Sequence, residues 1–421
     1  MNQSNLKKLQ NLLKEKDIDI FVINRSDEYL NEYISPNAER LNFITNFSGS
    51  AGRAIITPTD AFLYVDGRYT FQANTQINAK EIQAKHLNSF WTDLEKILLE
   101  EEYKIALDPT LHSIIEIEKV EKMLENSTSQ LQLIDKNFVD LIWENQPKTQ
   151  YTDIFDHPTS FAGQSRSEKL DILKKFLDQN EIDHYFVSGL DNIAWLLNLR
   201  ADDIKYTPLL YSYLLISKNN KHSLYIKESS MPEILKKEIQ TLININNIEN
   251  IGSIFNNINS SESIGLDFNS TTFYFLDLLR KQKINTKNLA NPCILLKAIK
   301  NETELDGAKK AHIRDGVSIT KYIYWLKNIM DPKSNDEISV AHHLESLRRK
   351  NELFHSLSFD TISAIDKNAA LPHYRVTEEG KSSFSDNNIY LVDSGGQYFD
   401  GTTDITRTII LGEATTEQKD R

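Results

Sequence analysis

The 421-residue sequence has a single cysteine, Cys293, and no long apolar run. One cysteine cannot form an internal disulfide, which indicates a reducing compartment. No stretch approaches the roughly 20 apolar residues that are needed to span a bilayer. The N-terminal segment also lacks an apolar signal core followed by a small-residue cleavage site. We therefore expect a cytoplasmic protein without a membrane anchor.

An excess of positive charge is missing as well, because the formal net charge is −12 at pH 7. This balance argues against nucleic acid or an anionic membrane as the main partner. The hydrophobic content of 40% and the aromatic content of 10% are typical of a soluble globular protein with ordinary cores. The length predicts two or three domains.

Apolar residues at helical spacing precede an apolar strand at two places in the chain. The helical pattern Leu6–Leu13 precedes a strand at Ile18–Ile23, and Leu170–Leu177 precedes a strand at Ile182–Val187. The repetition predicts that the first two domains share one architecture. Residues 144–164, with two prolines and little periodicity, are typical of a linker between these domains.

A third unit is predicted to begin near Lys297. The sequence Asn301-Glu-Thr-Glu304 can cap a helix, and apolar residues follow one face of that helix as far as Trp325. We expect a second helix at 336–350 and then strands. Before this unit, the Asn- and Ile-rich segment 243–260 is interpreted as a polar connection with a short apolar element inside.

The segment LVDSGGQYFDGTTDITRT, residues 391–408, carries the most functional information in the chain. Asp393 follows the apolar strand Ile389–Val392, and Asp404 comes eleven residues later within a second predicted strand. Three glycines between the aspartates let the chain reverse. Two carboxylates brought together by such a hairpin repel each other unless one is protonated or a cation lies between them.

The predicted second strand has one face that is polar throughout. Alternation places Thr402, Asp404, Thr406 and Thr408 on that face. A polar face beside a carboxylate is unusual for core packing and suits a carboxylate that binds a ligand. The alternative is a solvated hairpin in which the aspartates are turn formers. Spacing alone leaves both interpretations open.

The string DSGGQYFDGTTD resembles the metal-binding hairpin of the aminopeptidase P family, a branch of the pita-bread metallopeptidases. In that family, two aspartates eleven residues apart ligate a pair of divalent metal ions, and Asp393 and Asp404 match those positions. The resemblance covers essentially the whole chain. It includes EYISPNAERLNFITNFSGSAGRAIIT, LDNIAWLLNLRADDIKYTPLLYSY, KAIKNETELDGAKKAHIRDGVSITKYIYWL and SFDTISAIDKNAALPHY.

The resemblance implies an α/β and α+β architecture. Two creatinase-like N-terminal domains, at 1–150 and 160–298, would be followed at 299–421 by the N-terminal part of a pita-bread catalytic domain. It also implies a homodimer and an aminopeptidase that releases the N-terminal residue from peptides with proline in second position, with two manganese ions. A proline-containing peptide bond is a tertiary amide without an N–H, which fits ordinary peptidase sites poorly.

A metal pair suits this chemistry because it can acidify water and polarise the carbonyl group. Ligation by carboxylates with some imidazole suits manganese, although the residue types do not exclude cobalt or zinc. His373, in the run ALPHY, matches the family's active-site histidine, which contacts the substrate near the scissile bond and helps to transfer a proton. The alternative for His373 is a partly buried structural histidine.

Other candidates have simpler interpretations. Asp366 stands where the family often has glycine, which predicts a reshaped loop or an added charge near the pocket. His342 and His343 lack the HExxH spacing and are assigned to a surface or an interface. The segment 49–52, Gly-Ser-Ala-Gly, has no P-loop lysine in register and is expected to form a tight turn.

The family's metal site uses two aspartates, one histidine and two glutamates, and the aspartates alone have counterparts here. The sequence ends at GEATTEQKDR, where the family begins its next helix. We therefore expect a catalytic domain cut about midway, and a 421-residue chain that is inactive by itself. The alternatives are an Xaa-Pro dipeptidase (prolidase) and a non-catalytic pita-bread module that binds proteins. The presence of both aspartates and the histidine favours an enzyme, and the two large N-terminal units favour aminopeptidase P.

Overall fold

The structure is a computed structural model that describes residues 4–420. The chain divides into two compact units. Unit 1 comprises residues 4–156, 166–204 and 209–298, and unit 2 comprises 157–165, 205–208 and 299–420. Within the described residues, no helix combines the length and the apolar character needed to cross a membrane.

Unit 1 begins with a six-stranded sheet flanked by helices. Its elements are α1 (Asn5–Glu15), β1 (Ile20–Asn24), α2 (Arg40–Thr45), β2 (Arg53–Ile56), β3 (Ala61–Val65), α3 (Thr70–Gln76), β4 (Gln83–His86), α4 (Phe90–Glu100), β5 (Lys104–Leu107), α5 (Ile114–Leu124), β6 (Gln130–Leu133) and α6 (Phe138–Ile142). The strand order is β4-β3-β2-β1-β5-β6. Strand β1 is buried along its whole length. Its apolar run follows from helices covering both faces of the sheet.

The rest of unit 1 forms a second sheet. Its elements are β7 (Phe155–Asp156), α8 (Arg166–Gln179), β8 (His184–Val187), α9 (Leu190–Leu197), β9 (Leu199–Arg200), β10 (Tyr213–Ser217), β11 (His222–Ile226), α10 (Glu233–Ile239), β12 (Ile243–Asn247), β13 (Ser263–Leu266), α11 (Phe273–Lys281), β14 (Asn285–Asn288) and α12 (Pro292–Ala298), with the short helix α7 (Thr159–Ala162) of unit 2 between β7 and α8 in the chain. The strand order is β12-β11-β10-β8-β13-β14.

The two six-stranded sheets have the same topology. In each sheet the first and second strands of the order are parallel, the next two pairs are antiparallel, and the last two pairs are parallel. The prediction of one shared architecture is therefore confirmed. It rested on a helix followed by an apolar strand, and α1–β1 and α8–β8 are the corresponding elements.

Two segments that were predicted to be connections contain regular secondary structure. The segment 243–260 is more than a polar connection, because its first five residues form strand β12 and pair in parallel with β11. Pairing with a neighbouring strand outweighed the low strand propensity of asparagine. The assigned linker 144–164 also contains the short elements β7 and α7.

Unit 2 contains two long helices and two small sheets. Besides α7, its elements are α13 (Glu302–Asn328), α14 (Glu337–Arg348), β15 (Phe354–Leu357), β16 (Ile362–Ile365), β17 (Asn388–Ser394), β18 (Gly396–Tyr398), β19 (Gly401–Thr402), β20 (Ile405–Leu411) and α15 (Thr416–Asp420). The sheets have the orders β16-β17-β20 and β15-β18-β19. Capping boxes begin both long helices, with Asn301 and Asp336 as the N-caps, close to the predicted starts.

The core of unit 2 lies between the long helices and one face of the sheet β16-β17-β20. Tyr390 and Val392 of β17 pack there with residues of α13 and α14. Burial alternates strictly along β17, so that Asp393 lies on the opposite, half-buried face. The period of the strand therefore places Asp393 on the side of the sheet away from this core.

Candidate metal centre

The two aspartates lie at different kinds of position in the hairpin. Asp393 is within β17, opposite Thr406 of β20. Asp404 lies in the break between β19 and β20. The prediction that Asp404 sits inside a strand is wrong, because the chain changes sheets at this point. Strand β19 pairs with β18, whereas β20 pairs with β17.

The side chains of Asp393 and Asp404 lie close together. Burial raises the pKa of Asp404, and the neighbouring charge of Asp393 and a hydrogen bond with it raise that pKa further. The Oδ1 atom of Asp393 is buried and has no hydrogen-bond partner among the described residues. A buried carboxylate oxygen without a donor is costly. A divalent cation between the two carboxylates would relieve both the repulsion and the missing contact, so these residues fit a metal.

The described residues supply part of a metal site. No group of three or more His, Cys, Asp or Glu side chains that could hold a metal ion occurs within residues 4–420. Two carboxylates provide few of the ligands that a hard divalent cation takes up. In the described part of the chain, no further His, Cys, Asp or Glu side chain joins these two carboxylates to complete such a site.

The residues that were predicted to form a polar face with Asp404 are accessible to solvent. Thr402, Asp404, Thr406 and Thr408 are all exposed. A turn-forming role would leave the oxygens of the aspartates hydrogen bonded to nearby backbone N–H groups. The unpartnered oxygen of Asp393 does not fit that role.

The glycines of the hairpin serve close packing. None of Gly395, Gly396 and Gly401 has a positive φ. A Cβ atom added at Gly395 would lie 1.9 Å from the carbonyl oxygen of Thr403. A Cβ at Gly401 would lie 3.0 Å from the Cα atom of Ala308 in α13. Close backbone approaches within the hairpin and against α13 therefore require residues without a side chain at positions 395 and 401. The prediction that the glycines let the chain reverse stays a prediction.

Two adjacent residues of α13 hold the hairpin. The guanidinium of Arg314 bonds to both carboxylate oxygens of Asp400. Asp315 accepts hydrogen bonds from Tyr398 Oη at 2.9 Å and from Arg348 Nε at 2.7 Å. Arg348, on α14, is completely buried. The chain between the two metal-ligand candidates is thus fastened to both long helices.

His373 lies in the segment 371–383 between a 3-10 helix at Asp366–Ala370 and strand β17, and its side chain is half-buried. The next residue, Tyr374, donates a hydrogen bond from Oη to Glu337 Oε2 at 2.9 Å. Glu337 is the first residue of α14 and is completely buried. Sequence analysis did not select Glu337. An acidic residue in the first turn of a helix is common, and it gives no signal of the contacts that the folded chain supplies.

Asp366 adopts a backbone conformation that glycine enters most easily, with φ of 49°. Its carboxylate accepts hydrogen bonds from Asn388 Nδ2 at 2.6 Å and from the backbone N–H of Ile389 at 2.8 Å. These bonds tie the 3-10 helix to the start of β17. The added charge at this position is thus used to join two segments that flank the His373 loop.

The remaining candidates lie at packing contacts or at the surface. His343 stacks on Trp325, with ring centroids 3.8 Å apart, and His342 is exposed. In unit 1, a Cβ atom at Gly49 would meet the ring of Phe47 at 2.2 Å. Close packing explains that glycine without a phosphate ligand.

Comparison with protein families gives three matches along the chain. Residues 5–136 and 145–304 each match models of the creatinase/prolidase N-terminal domain. Residues 306–421 match the model of metallopeptidase family M24. The M24 match includes the hairpin of Asp393 and Asp404 and the loop of His373.

Similar proteins span nearly all of this chain. A protein of Paracoccidioides brasiliensis named "Probable Xaa-Pro aminopeptidase P" is 34% identical over 98% of the chain and 70% of its own length. One of Neosartorya fischeri with the same name is 36% identical over 98% of the chain and 65% of its own length. The crystal structure of X-prolyl aminopeptidase from Caenorhabditis elegans, described as a cytosolic enzyme with a di-nuclear active site, has a TM-score of 0.91 and 27% identity. It aligns with 98% of this chain, which covers 70% of that structure. The chain belongs to the Xaa-Pro aminopeptidase P family of M24 metallopeptidases.

Proposed function

We propose that this protein releases the N-terminal residue from peptides whose second residue is proline. The observation that carries the proposal is the pair of carboxylates at Asp393 and Asp404, with a buried oxygen of Asp393 that lacks a donor. The names of the relatives and their similarity over 98% of the chain support the substrate class.

Asp393 and Asp404 would hold divalent metal ions, with two ions and manganese as the proposed complement. The di-nuclear site of the Caenorhabditis elegans enzyme supports the number of ions. Oxygen ligands suit manganese among the first-row metals. When bound, the ions supply Lewis acidity toward the scissile carbonyl group and lower the pKa of bound water.

His373 is proposed to bind the substrate beside the scissile bond and to exchange a proton there. An imidazole titrates near neutrality, so that it can both donate and accept a proton at physiological pH. The half-buried position of His373 leaves part of its surface open to a ligand.

The proposal also covers the domain organisation, the oligomeric state and the cellular location of the protein. We assign residues 1–150 and 160–298 to two creatinase-like domains and 299–421 to the N-terminal part of the catalytic domain. A cytoplasmic homodimer that binds peptides is proposed from the family, and the cytosolic relative of Caenorhabditis elegans supports the location. The 421-residue chain alone is expected to be inactive, because residues 4–420 offer the metals two carboxylates without a third acidic, histidine or cysteine ligand.

The test uses protein purified from its source cells and supplied with manganese. Release of the first residue from an Xaa-Pro-Xaa tripeptide, with little hydrolysis of an Xaa-Pro dipeptide, is the expected result. Cleavage restricted to the dipeptide would instead identify a prolidase. Absence of any cleavage, together with manganese binding that survives Asp393→Ala and Asp404→Ala, would remove the enzymatic proposal and favour a binding module.

A further inference from the structure

Glu337 is a buried carboxylate for which the proposed chemistry has no direct use. It is 0% exposed, and its position at the start of α14 favours a negative charge through the helix dipole. A buried carboxylate needs hydrogen-bond donors or a cation to offset the loss of water. The hydrogen-bond donors around Glu337 therefore show which segments of the chain this carboxylate binds.

Four neutral donor groups reach this carboxylate. The backbone N–H of Ile365 donates at 2.6 Å and that of Ser382 at 2.8 Å. Asn368 Nδ2 donates at 2.9 Å, and Tyr374 Oη donates at 2.9 Å. All four lie within the segment 365–382, two before His373 and two after it. One carboxylate thus gathers both sides of the loop that carries the histidine.

The loop has other polar contacts, among them the backbone hydrogen bonds from Glu337 N–H to Ser382 O at 3.2 Å and from Lys381 N–H to Thr377 O at 2.9 Å. No residue of 371–383 is fully buried, so apolar packing contributes little there. Asn368 Nδ2 also lies 3.0 Å from Tyr374 Oη and 3.0 Å from Ser382 Oγ, which links the donors to one another. Burial, and then the hydrogen bond with Glu337, raise the pKa of Tyr374, which keeps the phenol protonated as a donor. Lys381 also forms partly exposed ion pairs with Asp336 and with Glu378.

We propose that Glu337 is a positioning residue for His373. It would act through the loop backbone and through Tyr374, the neighbour of the histidine, without contact with the substrate. The inference rests on the proposed function in its use of His373 as the group that exchanges a proton. A site in which a histidine must meet a scissile bond depends on such support, because small displacements of reacting groups cost large factors in rate.

The first test measures amide hydrogen exchange in the 421-residue chain and needs no activity. Glu337→Gln replaces an acceptor-only carboxylate with an amide whose NH₂ group faces other donors. We expect exchange in residues 366–382 to become about tenfold faster or more, with α13 unchanged. Lys381→Met is the matched control, because it removes both ion pairs of Lys381 from the same loop and leaves Glu337 unchanged. An equal acceleration in this control, or none in Glu337→Gln, would overturn the inference.

The second test uses the metal-loaded protein from its source cells. Glu337→Gln is expected to lower kcat about tenfold or more, with manganese content unchanged and KM for the tripeptide little altered. Tyr374→Phe removes one of the four donors and should lower kcat less, in the same direction. This variant also keeps the test decisive if Glu337→Gln fails to fold. A normal kcat in folded Glu337→Gln, or in Tyr374→Phe where Glu337→Gln does not fold, would refute the positioning role. If the unmodified protein cleaves no Xaa-Pro peptide, the proposed function fails on that result, while the exchange experiment still decides on the anchoring of the loop.

Discussion

The hairpin of Asp393 and Asp404 and the loop of His373 are held in different ways. Each is fastened to a long helix through a buried carboxylate. Asp315 holds the hairpin and is paired with the buried guanidinium of Arg348. Glu337 holds the loop with four neutral donors. A charged pair concentrates the interaction in one partner, whereas neutral donors spread it along a segment, so the two regions should respond differently to the loss of a single group.

The aspartates at the hairpin itself form a third arrangement. Asp393 and Asp404 face each other, and one buried oxygen has no donor in the described chain. The structural carboxylates are thus satisfied from within the protein, and the candidate ligands are left for a cation. This difference separates the carboxylates that support the hairpin and the loop from the two candidate metal ligands.

The largest expected effect comes from breaking the charged pair. Arg348→Met leaves Asp315 buried without a cation and should lower the free energy of unfolding by about 3–5 kcal/mol. Urea denaturation of the 421-residue chain measures this change. The double variant Arg348→Met with Asp315→Asn removes the uncompensated charge and should recover part of the loss. A single variant within about 1 kcal/mol of the parent would contradict this account.

The next effect concerns Asp393 and Asp404, the two carboxylates that repel each other. Asp404→Asn removes the repulsion from Asp393, so the metal-free chain should become slightly more stable. The same change should abolish stabilisation by manganese, which is about 1.4 kcal/mol at ten times the Kd. Thermal unfolding with and without manganese checks both effects. Asp386→Asn, at an exposed position outside the pair, is the control and should keep the full response to the metal.

Deleting one tyrosine hydroxyl that donates to Asp315, and one that donates to Glu337, compares the two buried carboxylates directly. Tyr398→Phe deletes a donor to Asp315 at a buried position, and we expect a loss of about 1.5 kcal/mol in the free energy of unfolding. Tyr374→Phe deletes a donor to Glu337 where water has partial access, and a loss of about 0.5–1 kcal/mol is expected. Denaturation midpoints of the two variants rank the supports. A larger loss for Tyr374→Phe would reverse the comparison.

The smallest effect is expected at the exposed surface of α13. Asp306 and Lys310 form an exposed pair one turn apart on α13. Exposed pairs gain little because water and salt screen them. Asp306→Asn should leave the urea midpoint unchanged within the scatter of replicate measurements. A clear shift would mean that exposed charge, and not burial, sets the strength of the ion pairs on α13.

Local signals predicted the parts of the fold whose causes are local. The capping pattern at Asn301 predicted the start of α13, because it uses side chains only three residues apart. The second helix was predicted to begin at Asp336, which is the N-cap of α14. Alternation along residues 402–409 predicted a polar face that includes Asp404, and the four residues of that face are exposed. Resemblance supplied the positions of Asp393, Asp404 and His373, whose roles stay predictions.

The amino-acid sequence by itself determined the order of the elements, the shared pattern of the first two sheets and the types of residue available to a metal. Tertiary structure decided the rest. The donors to Glu337 lie 28 to 45 residues away along the chain, and no periodicity connects them. The break at Asp404 arises because the two halves of the hairpin belong to different sheets. Gly401 is explained by a helix that precedes it by about 90 residues. Hydrogen bonds and close packing act between groups that are neighbours in space, and folding alone makes distant residues into neighbours.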